Sequence, residues 1–191
     1  MQRLGLFGGS FDPVHLGHLL VAETAREELE LTRLCFIPAA QSPFKPDTVP
    51  TASRERVRLL RLALAGQDWC EIDEQEIRRG GVSYTIDTVR AYADRFRGGQ
   101  LFYLIGADHL SQLPKWRGAE ELARLAEFVV IPRPGAVPVN FPPPFRGRQL
   151  KGFPLAVSSL EIRARLKAGR PIEPLVPSAV AEAIRAAKFY H

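Results

Sequence analysis

Residues 8–18 read Gly8-Gly9-Ser10-Phe11-Asp12-Pro13-Val14-His15-Leu16-Gly17-His18 and separate two segments of different hydrophobic pattern. The segment before them, Leu4-Gly5-Leu6-Phe7, is short and apolar, which is typical of a buried first strand. The segment after them, residues 19–29, has the spacing of an amphipathic helix. The paired glycines permit close approach and unusual dihedral angles in the sharp turn between the two. The pattern therefore predicts a strand, a glycine turn and a helix N-terminus, where backbone N–H groups bind anions.

Two histidines, His15 and His18, lie three residues apart, so the first helical turn places them on one face. Two imidazoles beside an anion-binding turn indicate phosphate chemistry. Other interpretations stay open for each feature alone, because glycine turns are common packing geometry and a histidine at a helix start also serves as a cap or a surface residue. Zinc binding is disfavoured, since no nearby cysteine or third histidine completes a ligand set.

Composition limits the class of protein. A chain of 191 residues with 46% apolar content suits one domain, residues 1–191, with a full hydrophobic core. No apolar run is long enough to span a bilayer and no secretory signal pattern is present, so we expect no membrane partner. Cys35 and Cys70 are far apart and favour a cytoplasmic location over a disulfide framework. The net charge of +5 is compatible with polyanionic partners, but the sequence lacks the basic and aromatic array of a single-strand binder, so we expect no nucleic acid.

The hydrophobic pattern beyond residue 30 alternates between strands and helices. Near-continuous apolar strands imply a parallel sheet covered on both faces, that is, an α/β, Rossmann-like, doubly wound fold with ligands beyond the carboxyl ends of the strands. Further strands are predicted at 33–38, 69–72, 101–105, 128–131 and 153–157. Helices are predicted at 52–65 (capped by Thr51 or Ser53), 86–96, 109–113, 120–126, 158–168 and 178–188, and loops at 74–81 and 132–144.

Two other constellations carry possible chemistry. Ser158 and Glu161 fit a capping box, and with Arg163 the same helix start fits a phosphate cradle. Gly106 ends an apolar strand and lets a ligand approach, while Asp108 has the acceptors for ribose hydroxyls or for a helix cap. Conventional dinucleotide and Gly-Lys-Ser/Thr phosphate motifs are absent, so any nucleotide chemistry falls to residues 8–18.

The motifs together resemble one family. Residues 8–18 resemble the His-x-Gly-His signature of the nucleotidyltransferase superfamily, and Gly-Gly-Ser-Phe-Asp-Pro is similar to its adenylyltransferase branch. Ser83-Tyr84-Thr85, and Gly-x-Asp at 106–108 followed by Trp116, resemble the nicotinate mononucleotide adenylyltransferases. Residues 38–45 and 132–135 are similar to that family's proline-rich loop ending in lysine and its Arg-Pro-Gly segment. The resemblance extends from Leu4 to the C-terminal helices.

The chain departs from the family pattern at two positions. Leu160 stands where the pattern Ile-Ser-Ser-Thr-x-Ile-Arg has threonine, so a phosphate contact through that hydroxyl is lost. Phe44 stands where the family commonly has histidine before the lysine.

The resemblance implies a reaction between ATP and nicotinate mononucleotide that yields deamido-NAD and pyrophosphate without a covalent enzyme intermediate. Mg2+ would be carried with ATP, as in other phosphoryl transfers. Nicotinamide mononucleotide or pantetheine phosphate as the acceptor, a non-catalytic nucleotide-binding protein and a nucleic-acid binder remain alternatives. A homo-oligomer is possible.

The resemblance also implies residue roles. The two histidines, His15 and His18, are the expected catalytic residues. The helices of residues 158–191 complete the ATP site, whose expected contacts are Gly8, Gly9, Ser10, Phe11, Gly106, Asp108, Ser158, Ser159 and Arg163. The expected contacts of the mononucleotide are Lys45, Tyr84, Thr85, Trp116 and Arg133.

Overall fold

The fold is a six-stranded sheet with helices on both faces, seen in a computed structural model that describes residues 2–44, 49–132, 134–135, 138–153, 155–187 and 190. The sheet order is β3-β2-β1-β4-β5-β6, and each described pairing is parallel. The predicted doubly wound α/β fold is therefore confirmed. The strands are β1 (Arg3–Gly9), β2 (Arg33–Pro38), β3 (Cys70–Ile72), β4 (Gln100–Gly106), β5 (Glu127–Ile131) and β6 (Gly147–Gln149).

Helices connect the strands and close the chain. They are α1 (Leu16–Glu28), α2 (Ser53–Ala63), α3 (Gln75–Arg79), α4 (Thr85–Arg95), α5 (Ala119–Leu125), α6 (Ser159–Lys167) and α7 (Ser178–Ala187), with a 3-10 helix at Ala107–Lys115 between β4 and α5. None of the described helices is long and apolar enough to cross a bilayer.

Alternation along the central strands divides the apolar side chains between two cores. In β1, Leu4 and Leu6 pack on the face covered by α4, α5 and the 3-10 helix, whereas Phe7 packs on the face covered by α1, α2 and α7. In β4, Phe102 and Leu104 join the second of these cores. Burial on both faces explains why these strands are apolar throughout.

The turn after β1 differs from the prediction. Gly8 and Gly9 belong to β1, and neither has the predicted unusual dihedral angles; Phe11 takes the left-handed conformation instead, with φ of +47°. The glycines let neighbouring side chains approach the backbone closely. A Cβ on Gly8 would lie 2.5 Å from the hydroxyl of Tyr103, and one on Gly9 would lie 3.0 Å from the ring of Phe11.

Three other predictions are wrong. The last strand is Gly147–Gln149, an edge strand that carries no apolar run, and the described residues of the predicted strand 153–157 form no strand. The predicted loop 74–81 contains α3, whose C-cap residue is Gly80 with φ of +69°. The N-cap residue of α2 is Ala52 and makes no side-chain cap.

Candidate functional site

A cavity of about 720 Å3 lies where the strand order reverses, beyond the carboxyl ends of β1 and β4. This is the position at which open α/β sheets bind ligands. Eight of the predicted site residues line it: Ser10, Phe11, His15, His18, Gly106, Ser158, Ser159 and Arg163.

The two histidines meet at the start of α1. His15 is the N-cap residue, and the rings of His15 and His18 stack with centroids 3.7 Å apart and 22° between their planes. The backbone N–H of His15 donates to Nδ1 of His18 at 3.2 Å. Because Nδ1 accepts this bond, neutral His18 carries its proton on Nε2.

Burial keeps both imidazoles neutral. It lowers the pKa of His15 to about 4, and burial together with the neighbouring His15 lowers the pKa of His18 well below its ordinary value. The His18 ring also meets Phe11 edge-on, with centroids 4.9 Å apart. At neutral pH the pair therefore offers N–H donors without a net charge.

Gly17, between the histidines, leaves room for the His15 ring. A Cβ at this position would lie 3.0 Å from Nδ1 of His15, closer than ordinary contacts allow. That Nδ1 is buried and has no hydrogen-bond partner in the described part of the chain. The glycine of the His-x-Gly-His motif therefore avoids a steric clash with the His15 ring.

A fully buried arginine, Arg56 of α2, holds the turn after β1. Its guanidinium donates to the carbonyl oxygens of Ser10 at 2.7 Å, Ala39 at 2.8 Å and Thr51 at 2.9 Å. It also donates to Oγ of Ser53, one of the two residues predicted to cap this helix. The sequence pattern does not reveal the role of Arg56, because arginine on a helix is usually exposed.

Asp12 and Pro13 attach the C-terminal elements to the same turn. The buried Asp12 carboxylate accepts hydrogen bonds from the Tyr190 hydroxyl at 2.7 Å and from the backbone N–H of Thr51 at 3.2 Å. Its carbonyl accepts from Nη1 of Arg163 at 2.5 Å, and the Ser159 hydroxyl donates to the carbonyl of Pro13 at 2.9 Å. The start of α6 is thereby fixed beside the histidines.

The hydroxyls at this helix start have structural partners. Oγ of Ser158 accepts from the backbone N–H of Glu161 at 3.2 Å, which confirms the capping interpretation of Ser158. Leu160, at the departure from the family pattern, is 70% exposed and lines the cavity.

A smaller cavity of about 120 Å3 holds a second group of predicted residues, Tyr84, Thr85 and Trp116. Phe44 lies against Trp116 with ring centroids 5.5 Å apart, and the guanidinium of Arg117 lies 4.9 Å from the centre of the Tyr84 ring. Lys115 also lines this cavity. Aromatic walls with two cations at the border suit a planar anionic group.

The Nε1 of Trp116 is buried and has no hydrogen-bond partner among the described residues. The segment of residues 41–44 contributes to both cavities, since Gln41 and Ser42 line the larger and Pro43 and Phe44 the smaller. Lys115 and Arg117 are not predictable from the sequence as site residues, because a charged side chain beside an aromatic residue usually lies at a solvated surface.

The remaining predicted residues do not line either cavity or lie outside the described chain. Gly8 packs against Tyr103, and Gly9 packs against Phe11. Asp108 is exposed in the first turn of the 3-10 helix, and the N-cap residue there is Gly106, so the predicted cap at Asp108 is wrong. Lys45 and Arg133 lie outside the described residues. No group of three or more His, Cys, Asp or Glu residues in the described ranges is placed to hold a metal ion.

The chain is similar to known proteins over nearly its whole length. The model of the cytidylyltransferase-like family matches residues 6–165. The chain is 40% identical over 192 residues to a probable nicotinate-nucleotide adenylyltransferase of Opitutus terrae, covering 99% of this chain and 98% of that protein. It is also 40% identical to a protein of the same description from Bordetella pertussis, covering 100% and 98%.

Solved structures share the fold. A Plasmodium falciparum nicotinic acid mononucleotide adenylyltransferase complexed with NaAD superposes with a TM-score of 0.81 at 16% identity, covering 100% of this chain and 98% of the other. A putative nicotinate-nucleotide adenylyltransferase from Vibrio parahaemolyticus gives 0.73 at 17% identity, covering 100% and 96%. At these identities the superpositions show a common architecture.

Proposed function

The chain belongs to the cytidylyltransferase-like family and, within it, to the nicotinate-nucleotide adenylyltransferases, and we propose that it transfers the adenylyl group of ATP to nicotinate mononucleotide. The products are deamido-NAD and pyrophosphate. The observation that carries the proposal is the pair of stacked neutral imidazoles at the sheet's switch point, with an aromatic cavity bordered by cations beside it.

The reaction needs alignment more than acid–base chemistry. The mononucleotide phosphate attacks the α-phosphorus of ATP, a new P–O bond forms, and the bond from the α-phosphorus to the bridging oxygen breaks as pyrophosphate leaves. A phosphate is already nucleophilic near neutral pH, so no strong base is required. The protein contributes by positioning the reactants and stabilising the charge that develops on the phosphoryl oxygens.

His18 is proposed as the donor to the α-phosphoryl group. Its Nδ1 is occupied by the backbone N–H of His15, so its Nε2–H is the group available to an anion. A neutral imidazole has a smaller desolvation penalty in a buried site than an imidazolium. Bound phosphates, being negatively charged, raise the pKa of both histidines and so favour the protonated form. His15 is proposed to act beside it on the same phosphates.

The triphosphate is proposed to lie along β1 and the start of α6. Residues 8–11 form the end of β1 and the start of the turn after it. Ser158 retains a hydroxyl hydrogen to donate, because its oxygen accepts the cap bond from Glu161. Arg163 donates one N–H to Asp12, and a guanidinium has five such donors, so it can also bind a phosphate. Ser159 donates to Pro13 and is better suited to positioning α6. Gly106 and Asp108 are proposed on the ribose side, and Lys45 near the phosphates.

The mononucleotide is proposed to place its pyridine ring in the smaller cavity, between Tyr84 and Trp116. Its carboxylate then meets the N-terminus of α4 at Thr85, which carries partial positive charge. Arg133 is proposed to bind the mononucleotide phosphate. Mg2+ is proposed to enter with ATP as part of the substrate, bound to its phosphates.

The test is release of pyrophosphate from ATP by the purified protein. We expect release when nicotinate mononucleotide is present and none when it is omitted. Pantetheine phosphate is the control acceptor, and its use in place of the mononucleotide would overturn the proposal. Binding of ATP without any acceptor-dependent release would assign a nucleotide-binding role instead.

A further inference from the structure

The carboxyl group of Glu76 in α3 is buried outside both cavities and has no part in the transfer described above. The residue is 4% exposed, and burial raises the pKa of the carboxyl above its ordinary value. Glutamate is almost never this buried without partners, so polar groups must contact this carboxyl.

The Glu76 carboxyl has one hydroxyl partner and a second hydroxyl beside it. The Thr88 hydroxyl, fully buried in α4, donates to Oε1 of Glu76 at 2.6 Å. The Ser83 hydroxyl favours the ionised form of the same carboxyl and lowers its pKa, against the larger effect of burial. Oγ of Ser83 accepts the backbone N–H of Ala40 at 3.0 Å, so the hydroxyl hydrogen of Ser83 stays available to the carboxylate.

These hydroxyls lie on either side of the residues that line the smaller cavity. Tyr84 and Thr85 follow Ser83 directly, and Thr88 lies one turn further along α4. The backbone N–H of Ser83 also donates to the carbonyl of Gln41 at 2.9 Å, at the start of the segment that contributes to both cavities. Glu76 thus bonds to Thr88 at one end of this cavity wall and lies beside Ser83 at the other.

We propose that Glu76 is a positioning residue for the smaller cavity, whose ionised carboxylate holds residues 83–88 in the geometry that accepts the pyridine ring of the mononucleotide. The identity of the ring rests on the proposed function. The coupling between Glu76 and the cavity rests on the contacts alone.

The charged and titratable groups around Glu76 come from three elements. Asp73, before α3, disfavours its ionised form and Arg79, within α3, favours it. Tyr103 of β4 faces it, with a hydroxyl 3.4 Å from Oγ1 of Thr85. A protonated carboxyl carries a donor where it had an acceptor, so it accepts less well from the hydroxyls around it. Acidification is therefore expected to loosen the wall.

The test is Glu76→Gln, which keeps the shape but replaces one acceptor with a donor. We expect the KM for nicotinate mononucleotide to rise on the order of tenfold, while the KM for ATP stays within about twofold and kcat within about threefold. From pH 7.5 to 5.5 the KM for the mononucleotide should rise more steeply in the unmodified protein than in the variant. The matched control is Glu74→Gln, which removes an ion pair with Arg61 at the start of the same helix and should leave both KM values unchanged.

A second readout needs no reaction. In Trp69→Phe protein, the remaining tryptophan, Trp116, lines the smaller cavity. Its emission should shift on acidification when Glu76 is present and stay unchanged in the Glu76→Gln variant. Equal rises in both KM values, or the same emission shift with and without Glu76, would overturn the inference. If the emission follows Glu76 but the mononucleotide is not a substrate, the proposed function fails and the positioning role stands.

Discussion

Replacing His18 separates the roles of its two ring nitrogens. Nδ1 accepts the backbone N–H of His15 at 3.2 Å, and Nε2–H is the proposed donor to the α-phosphoryl group. The side chain of asparagine is short and can replace the Nδ1 acceptor but does not reach the position of Nε2. The longer glutamine can place its amide N–H near Nε2 but loses the acceptor beside His15. The two variants are therefore complementary.

The expected size of each effect follows from general values for a lost donor and a lost cap. Loss of one preorganised donor to a developing oxyanion costs about 10²–10³ in kcat, or roughly 2.7–4 kcal/mol. Loss of a helix N-terminal cap costs about 1 kcal/mol of stability. We expect His18→Asn, which keeps the acceptor for the His15 N–H, to lower kcat by at least about a hundredfold and to lose less stability than His18→Ala. We expect His18→Gln to lose about 1 kcal/mol of stability but to retain at least about tenfold more turnover than His18→Asn.

The assay is mononucleotide-dependent pyrophosphate release at saturating substrates, with urea unfolding on the same samples. His18→Ala is the reference that loses both nitrogens, and it should combine the two defects. Turnover of His18→Asn within tenfold of the unmodified protein would refute the assignment of Nε2–H to the transition state. Equal turnover of the asparagine and glutamine variants would refute the division between the nitrogens.

Two further predictions concern stability. Burial lowers the pKa of His15 from 6.5 to about 4, so between these pH values the unfolded chain binds a proton that the folded chain does not. The free energy of unfolding is therefore highest above pH 6.5 and falls by up to about 3 kcal/mol as the pH drops to 4. Urea unfolding across this range should show a shallower fall in His15→Asn, and an equally steep one would contradict the prediction. In Arg56→Lys, the ammonium cannot bond to all three carbonyls that the guanidinium contacts, so the free energy of unfolding should fall by about 3 kcal/mol. The control Arg58→Lys, at an exposed position of the same helix, should lose less than about 0.5 kcal/mol. Similar losses in the two variants would contradict the role of Arg56.

The strands of the central sheet could be predicted because they are buried on both faces. The apolar run 33–38 coincides with β2, and the run 101–105 lies within β4. The edge strand β6 could not be found in this way, since it pairs on one side and contains Gly147 and Arg148 in place of apolar residues. The apolar residues that suggested a strand at 153–157 include Phe153, which is 71% exposed at the larger cavity.

In the candidate site, too, local contacts could be predicted from the sequence and distant ones could not. The two histidines could be predicted because their contact depends on a spacing of three residues within one helical turn. Arg56 acts on a carbonyl 46 residues away in the sequence, and Tyr190 on a carboxylate 178 residues away. Glu76 was placed in a loop. Such roles depend on burial created by distant elements, which a local pattern does not contain.

The most direct test of adenylyl transfer is a side-by-side measurement of kcat/KM with nicotinate mononucleotide and nicotinamide mononucleotide at fixed ATP. The pyridine carboxylate is expected to meet the start of α4, with Lys115 and Arg117 at the border of the cavity. We expect the acid to be used at least about tenfold better than the amide, a difference of about 1.4 kcal/mol. Strong preference for the amide, or no mononucleotide-dependent pyrophosphate with either, would contradict it.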